Sequence, residues 1–263
     1  MTKIIKGGGF VPEMPEVENI VVGIKDFIEN KKIVDVEIIK GDIIKSPSSD
    51  EYRKLLQDRI IKSLKRRGKY IIMSLDDGRL NIIHLRMTGK LLYKQENEDI
   101  DKYSCVIYHL EDKTKLIYAD IRRLGTLDLI TTDEISRLKG LYTLGAEPLS
   151  SEFTIEYLKD CLNKSKTKIK PFLLNQKNVA GLGNIYVDEE QKNETTRAMA
   201  AANLAVYNEL FDNYKVAIEW VDKSLSLFEK RVDSNASDIT ALRDYRRQLM
   251  ERKSDNSLLQ KQM

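Results

Sequence analysis

The sequence predicts an α+β protein: a two-layer β-sandwich behind one leading helix, with helices to follow. Three stretches of hydrophobic pattern predict it: a helical period at 16–31, a period of two from Ile33 to about Ile130, and a helical period again after Pro148. In the first stretch Val17, Ile20, Val21, Ile24, Phe27 and Ile28 share one face. Pro15 suits the first helical position, where its missing N–H is not needed. Val34, Val36 and Ile38 then alternate with polar residues. Residues 70–75, the turn Asp76-Asp77-Gly78 and residues 80–85 read as two strands joined tightly, and residues 106–118 repeat that pattern. Several hairpins and one helix make a sandwich the expected architecture.

Beyond Pro148, Ile155, Leu158 and Leu162 share a helical face, and a second helical stretch surrounds Ile169 to Leu174. The paired glycines Gly181 and Gly183 mark a turn that brings backbone close to something, with a helix after it. Residues 197–230 read as a helical hairpin, similar to one tetratricopeptide unit. Asn203, Leu204 and Ala205 lie on its first helix; Tyr214, Ala217, Ile218, Val221, Leu225 and Phe228 line one face of its second. A third helix is expected over 238–253. One such unit cannot bury its own face, so this tail must pack on the preceding helices, on a protein partner, or poorly.

Composition narrows the function less. No apolar run approaches the roughly eighteen residues of a membrane helix, and no secretory signal opens the chain, so a reduced, cytoplasmic protein is expected. Cys105 and Cys161 are far apart, and no CxxC occurs, so no metal is expected. The net charge of +3 neither demands nor excludes nucleic acid. Its distribution is more telling: Lys62, Lys65, Arg66, Arg67 and Lys69 fall within eight residues, either a phosphate-binding patch or a solvated strand end.

Seven short motifs carry more specific information: PEMPEVE at 12–18, RRGKY at 66–70, HLRMTGK at 84–90, DIRRLG at 120–125, LGAEPLS at 144–150, KIKPFLLNQ at 168–176 and VAGLGNIYVDE at 179–189. Together, and in this order, they resemble the bacterial formamidopyrimidine-DNA glycosylases, which excise oxidised purines such as 8-oxoguanine and nick the abasic site. The resemblance implies a bifunctional glycosylase and abasic-site lyase of base excision repair. It would bind damaged double-stranded DNA as a monomer, at the bacterial nucleoid and without a membrane partner. Pro12 would be the nucleophile, its free secondary amine forming a Schiff base with the sugar; an α-amino group titrates near 7.7–8 and is substantially unprotonated at neutral pH. Glu13 would be the general acid–base, and Lys69 would contact the phosphate beside the lesion and support catalysis. Glu16 would help hold the flipped nucleotide. Met87 and Leu124 would fill the vacated stack, with Arg122 meeting the orphaned base. Lys170 and Asn184 would bind flanking phosphates. Plainer readings exist for each element taken alone: a turn at Pro12 and Pro15, helix-favouring glutamates at 13 and 16, core packing for Met87, a helix cap at Asn184.

The chain also departs from that pattern. Pro12 follows Val11 through an amide, which removes its nucleophilicity. A valine codon can start bacterial translation, so residues 1–11 are expected to be an extension or mis-assigned leader. Leu124 stands where phenylalanine is usual in the family, and Tyr103 and Cys105 lie in the segment 102–106 where the family commonly carries histidine, which removes one expected phosphate contact. The similarity ends near Glu189, and the family's four-cysteine zinc finger has no counterpart. The expected domains are therefore a glycosylase sandwich at 12–148, part of a helix–two-turns–helix element at 149–189, and the helical tail at 190–263. Truncation of the DNA-binding half is expected to weaken binding. The alternative is a catalytically inactive DNA- or protein-binding relic whose helical-repeat tail engages another protein.

Overall fold

The computed structural model describes residues 12–148, 150–184, 214–229, 239–240, 242–251 and 253. Two compact units divide the chain, residues 1–182 and 183–263. The first has the expected α+β character.

Helix α1 (Met14–Ile28) starts two residues before the hydrophobic pattern does. Glu13 occupies the position before the first turn, and the Glu16 carboxyl oxygen accepts its backbone N–H at 2.9 Å. The pattern of apolar residues cannot show such a cap. Val17, Val21 and Ile28 turn inward to the core.

The sandwich follows. Its first sheet has the order β1 (Ile33–Ile38), β7 (Ser104–Leu110), β8 (Thr114–Asp120), β6 (Gly89–Gln95). The second has the order β2 (Ile44–Ser46), β9 (Thr126–Thr131), β5 (Arg79–His84), β4 (Tyr70–Leu75), β3 (Ile61–Arg67). Inward residues of both sheets form one cluster with α1, among them Val36, Tyr108 and Tyr118 from one side and Leu64, Met73 and Leu127 from the other. Helix α2 (Ser49–Leu56) adds Tyr52 and Leu56 to this core. The period-two reading passed over α2, although its local signal is present. Ser48 accepts the Glu51 N–H at 3.4 Å, and Tyr52 and Leu56 are four apart. The Tyr52 hydroxyl meets Asn81 at 2.9 Å and Tyr108 at 2.6 Å, which satisfies three polar side chains inside the core.

The register places functionally interesting loops at one end. Arg67 pairs with Tyr70, Tyr70 with His84, His84 with Thr126, and Gly89 with Asp120. The β3–β4 turn therefore lies at the same end as two crossings between the sheets, residues 85–88 (β5 to β6) and 121–125 (β8 to β9).

A short helix α3 (Lys139–Tyr142) leads to residues 144–147, then to α4 (Ile155–Asn163) and α5 (Ile169–Leu174). Residues 144–147 are bound to the sandwich by a buried ion-pair network. Arg66 bonds Glu18 on α1 and, at 2.7 Å, Glu147. Its side chain is only 7% exposed. Arg67 adds a contact to Glu147 at 3.2 Å and donates to the carbonyl of Gly145 at 2.7 Å. Burial opposes the Arg66 charge, and the bonds to Glu147 and Glu18 more than offset it, raising the guanidinium pKa. This corrects one sequence reading: Arg66 belongs to an internal clamp rather than to a phosphate-facing patch, whereas Lys62 and Lys65 are exposed.

In the second unit, α6 (Tyr214–Glu229) presents Ala217, Ile218, Val221 and Leu225 to Leu249 from the helical residues 242–251. Arg246 pairs with Asp222 across them. The expected preceding helix, around residues 203–205, lies outside the described residues.

Removing Glu147 leaves buried Arg66 with Glu18 as its remaining carboxylate and leaves the Gly68 N–H without its acceptor, at the lower end of the roughly 3–5 kcal/mol cost of breaking a buried pair. Glu147→Ala is expected to lower stability by about 3 kcal/mol in urea unfolding, with the m-value unchanged.

Candidate functional site

The site is built around the start of α1. Pro12 is partly buried and immediately precedes Glu13, which is 2% exposed. The Met14 N–H donates to the Gly181 carbonyl at 3.2 Å, so the glycine-containing turn sits on the helix start. Gly181 has a φ of 88°, and a Cβ there would stand 2.7 Å from the Met14 Cβ, so no other residue fits. Gln176 holds this turn from behind: its Oε1 accepts the Gly181 N–H at 2.8 Å, and its amide nitrogen donates to the Leu182 carbonyl at 2.6 Å.

The β3–β4 turn brings Lys69 to the same place. Glu147 accepts the Gly68 N–H, which fixes the turn one residue before Lys69. Burial lowers the Lys69 pKa below its ordinary 10.5, while the nearby carboxyls of Glu13 and Glu16 pull it upward. Three of the expected residues, Glu13, Glu16 and Lys69, are thus brought together from segments more than fifty positions apart.

His84 closes this side of the site, and sequence reasoning did not single it out. Its ring stacks edge-on against Tyr70 at 4.4 Å, and its Nδ1 accepts the Arg86 N–H at 3.0 Å. Burial, then the charges of Arg86 and Lys69, hold its pKa down to about 3. The ring is therefore neutral at physiological pH, with its proton on Nε2. The only sequence signal was its place at the head of HLRMTGK.

The two crossings carry the other expected residues. Met87 (42% exposed) lies on 85–88, and Leu124 (45%) and Arg122 lie on 121–125. Arg122 Nη1 approaches the Met87 sulfur at 3.5 Å. Lys170 is exposed on α5, and Asn184 is exposed and helical in the second unit. Among the described residues, no group of three His, Cys, Asp or Glu side chains could hold a metal, and no helix is long and apolar enough to cross a membrane.

The Formamidopyrimidine-DNA glycosylase N-terminal domain family matches residues 11–127, and the Formamidopyrimidine-DNA glycosylase H2TH domain family matches 144–217. A formamidopyrimidine-DNA glycosylase of Bacillus licheniformis is 37% identical over 217 residues, which cover 80% of this chain and 78% of the relative. That of Lactiplantibacillus plantarum is 36% identical over 200 residues, covering 76% and 73%. The chain belongs to the formamidopyrimidine-DNA glycosylase family.

Within the formamidopyrimidine-DNA glycosylase family, the relative from Desulforamulus reducens is 42% identical over 180 residues, and the match covers 68% of this chain and 65% of that protein. The chain spans about 65% of the length of such relatives. A Lactococcus lactis structure described as a complex with abasic-site DNA aligns with a TM-score of 0.63 at 36% identity, covering 68% of this chain and 65% of that one. A second, containing FAPY-dG DNA, gives the same TM-score and identity and covers 67% and 66%. A domain family of unknown function matches residues 185–251 and overlaps the H2TH match over 185–217.

The His84 environment makes a pH prediction. Its pKa is about 3 when folded and about 6.5 when unfolded. Between those values the unfolded chain holds the extra proton, so this residue's contribution is complete above pH 6.5 and is lost as pH falls toward 3. Comparing wild type with His84→Gln by urea unfolding at pH 6.5 and 4.5 should show wild type losing about 2 kcal/mol more.

Proposed function

We propose that this chain is a DNA glycosylase and abasic-site lyase that removes oxidised purines from duplex DNA in base excision repair, with Pro12 as the nucleophile. The observation that carries the proposal is the meeting of Glu13, Glu16 and Lys69 at the residue that follows Pro12. The same end of the sandwich carries Met87, Arg122 and Leu124. Two exposed apolar side chains and an arginine suit a stack from which one nucleotide has been withdrawn. The relatives' names and the DNA in the Lactococcus lactis complexes support the same reading.

The chemistry follows from the groups present. The lone pair of an unacylated Pro12 nitrogen attacks the sugar C1′. The damaged base leaves with the electrons of its glycosidic bond and takes up the proton shed by the Pro12 nitrogen; a protonated Glu13 then gives its proton to the sugar ring oxygen as the C1′–O4′ bond breaks, leaving C1′ doubly bonded to nitrogen. The resulting iminium makes the C2′ proton acidic. Its removal breaks the C3′–O bond and releases the 3′ phosphate; water then hydrolyses the Schiff base. Lys69 supplies a cation for the adjoining phosphate, and its lowered pKa eases proton exchange. Neutral His84 donates its Nε2–H to a phosphate oxygen beside Lys69. Glu16 supports the flipped nucleotide, while Lys170 and Asn184, each in its own unit, contribute phosphate contacts.

This pathway requires a secondary amine at Pro12, and in the present sequence Val11 acylates that nitrogen. Borohydride trapping on an 8-oxoguanine duplex tests the requirement. Polypeptide beginning at Pro12 should give a covalent protein–DNA adduct; polypeptide retaining residues 1–11 should give none. No adduct from the Pro12 form would overturn the proposal. In that form, Glu13→Gln should slow base excision by roughly 10²–10⁴-fold. Trapping on a preformed abasic site should suffer less, because an abasic sugar opens spontaneously to its aldehyde and no longer needs a proton delivered to the ring oxygen.

A further inference from the structure

The two crossings are joined by a small buried polar cluster that the proposed chemistry does not use. Asp120, at the end of β8, is 2% exposed. One of its carboxyl oxygens accepts the Thr88 hydroxyl and the Arg122 N–H, the latter at 3.1 Å. The other accepts the Gly125 N–H at 2.9 Å and faces the Tyr118 hydroxyl at 3.5 Å. Thr88 Oγ1 also receives the Arg122 N–H, at 3.2 Å. Thr88 belongs to the crossing that carries Met87, whereas Asp120, Arg122 and Gly125 border the other. Steric constraint tightens the join. A Cβ on Gly125 would lie 1.6 Å from the Tyr118 hydroxyl, and one on Gly89 would lie 2.7 Å from the same atom. Both crossings therefore close on one tyrosine oxygen and have no room to slide past it.

We infer that Thr88 and Asp120 are positioning residues that couple the two crossings, so that filling the vacated stack with Met87 and reading the opposite base with Arg122 occur as one event. The inference rests on the functional reading above and extends it to specificity. The backbone of Arg122 is held from both crossings, and its guanidinium touches the Met87 sulfur. A displacement of Met87 therefore moves the group that meets the unpaired base. A guanidinium only donates hydrogen bonds. Cytosine offers it two acceptors on its pairing edge, O2 and N3; adenine offers N1 beside a competing amino donor. A fixed Arg122 should favour cytosine, and a loosened one should discriminate less.

The test is equilibrium binding of the full chain to a duplex with a tetrahydrofuran abasic analogue opposite cytosine or adenine, at about 0.05 M salt. It needs no catalysis and hence no free Pro12 nitrogen. Wild type should prefer cytosine. Thr88→Val, which keeps the shape and loses the hydroxyl, should reduce that preference at least about three-fold, the scale of coupling through a shared network. Thr88→Ser should retain it. In an Arg122→Ala background, Thr88→Val should change the cytosine-to-adenine ratio no further. If Thr88→Val does not fold, Thr88→Ala takes its place in each arm. A preference unchanged in Thr88→Val, or additive effects of the two substitutions, overturns the inference alone. A wild-type chain that does not distinguish abasic from intact duplex overturns the functional reading and this inference together.

Discussion

The site depends on one interaction, the buried clamp in which Arg66 binds Glu18 and Glu147. Each partner comes from a different part of the first unit: α1, the end of β3, and the segment after α3. The far end of α1 is tied to β3 by hydrogen bonds from the Leu64 N–H to Glu29 and from the Asn30 N–H to the Ile61 carbonyl; the clamp adds a directional link at the end that carries the site, where apolar packing alone is non-directional. Charged hydrogen bonds of fixed geometry add direction. Glu147 extends the clamp by accepting the Gly68 N–H, and the Met14–Gly181 bond adds the glycine-containing turn. Arginine suits this role because its planar fork can serve two carboxylates at once, which a lysine ammonium does less well.

The sandwich contributes in a different way. Because β5 pairs with β9 and β6 with β8, the two crossings between sheets must run side by side at one end. The β3–β4 turn arrives there because β4 pairs with β5. Residues 69, 87, 122 and 124 are therefore neighbours as a result of topology, though they span more than fifty positions in sequence. Met87, Ile121 and Leu124 stay exposed together at this end, as expected of a surface kept for a partner.

Much of the fold was legible because its signals are local. Period-two alternation and the Asp76-Asp77-Gly78 turn are sufficient to identify β4 and β5. Helix α2 was missed although Ser48 and Glu51 form a start signal; eight residues are short, and strands surround them on both sides. The site was less legible. The motifs drew attention to Glu13 and Lys69, but nothing near Arg66 in sequence shows that it is buried, since Glu18 and Glu147 are 48 and 81 positions away. A run of basic residues therefore read as a patch when part of it is a clamp. The neutrality of His84 was hidden for the same reason: it follows from burial against Tyr70 and from the field of Lys69 and Arg86, which exist only after folding.

The claim most open to direct measurement is that Lys69 lies half-buried beside Glu13. Carbon-13 NMR of labelled lysine side chains, with Lys69 assigned by substitution, follows its titration in wild type and in Glu13→Gln. The account predicts a Lys69 pKa below 10.5 in wild type that falls further in Glu13→Gln, because the carboxyl that supports the charge has gone. A Lys69 that titrates as an ordinary lysine and does not respond to Glu13→Gln would contradict it.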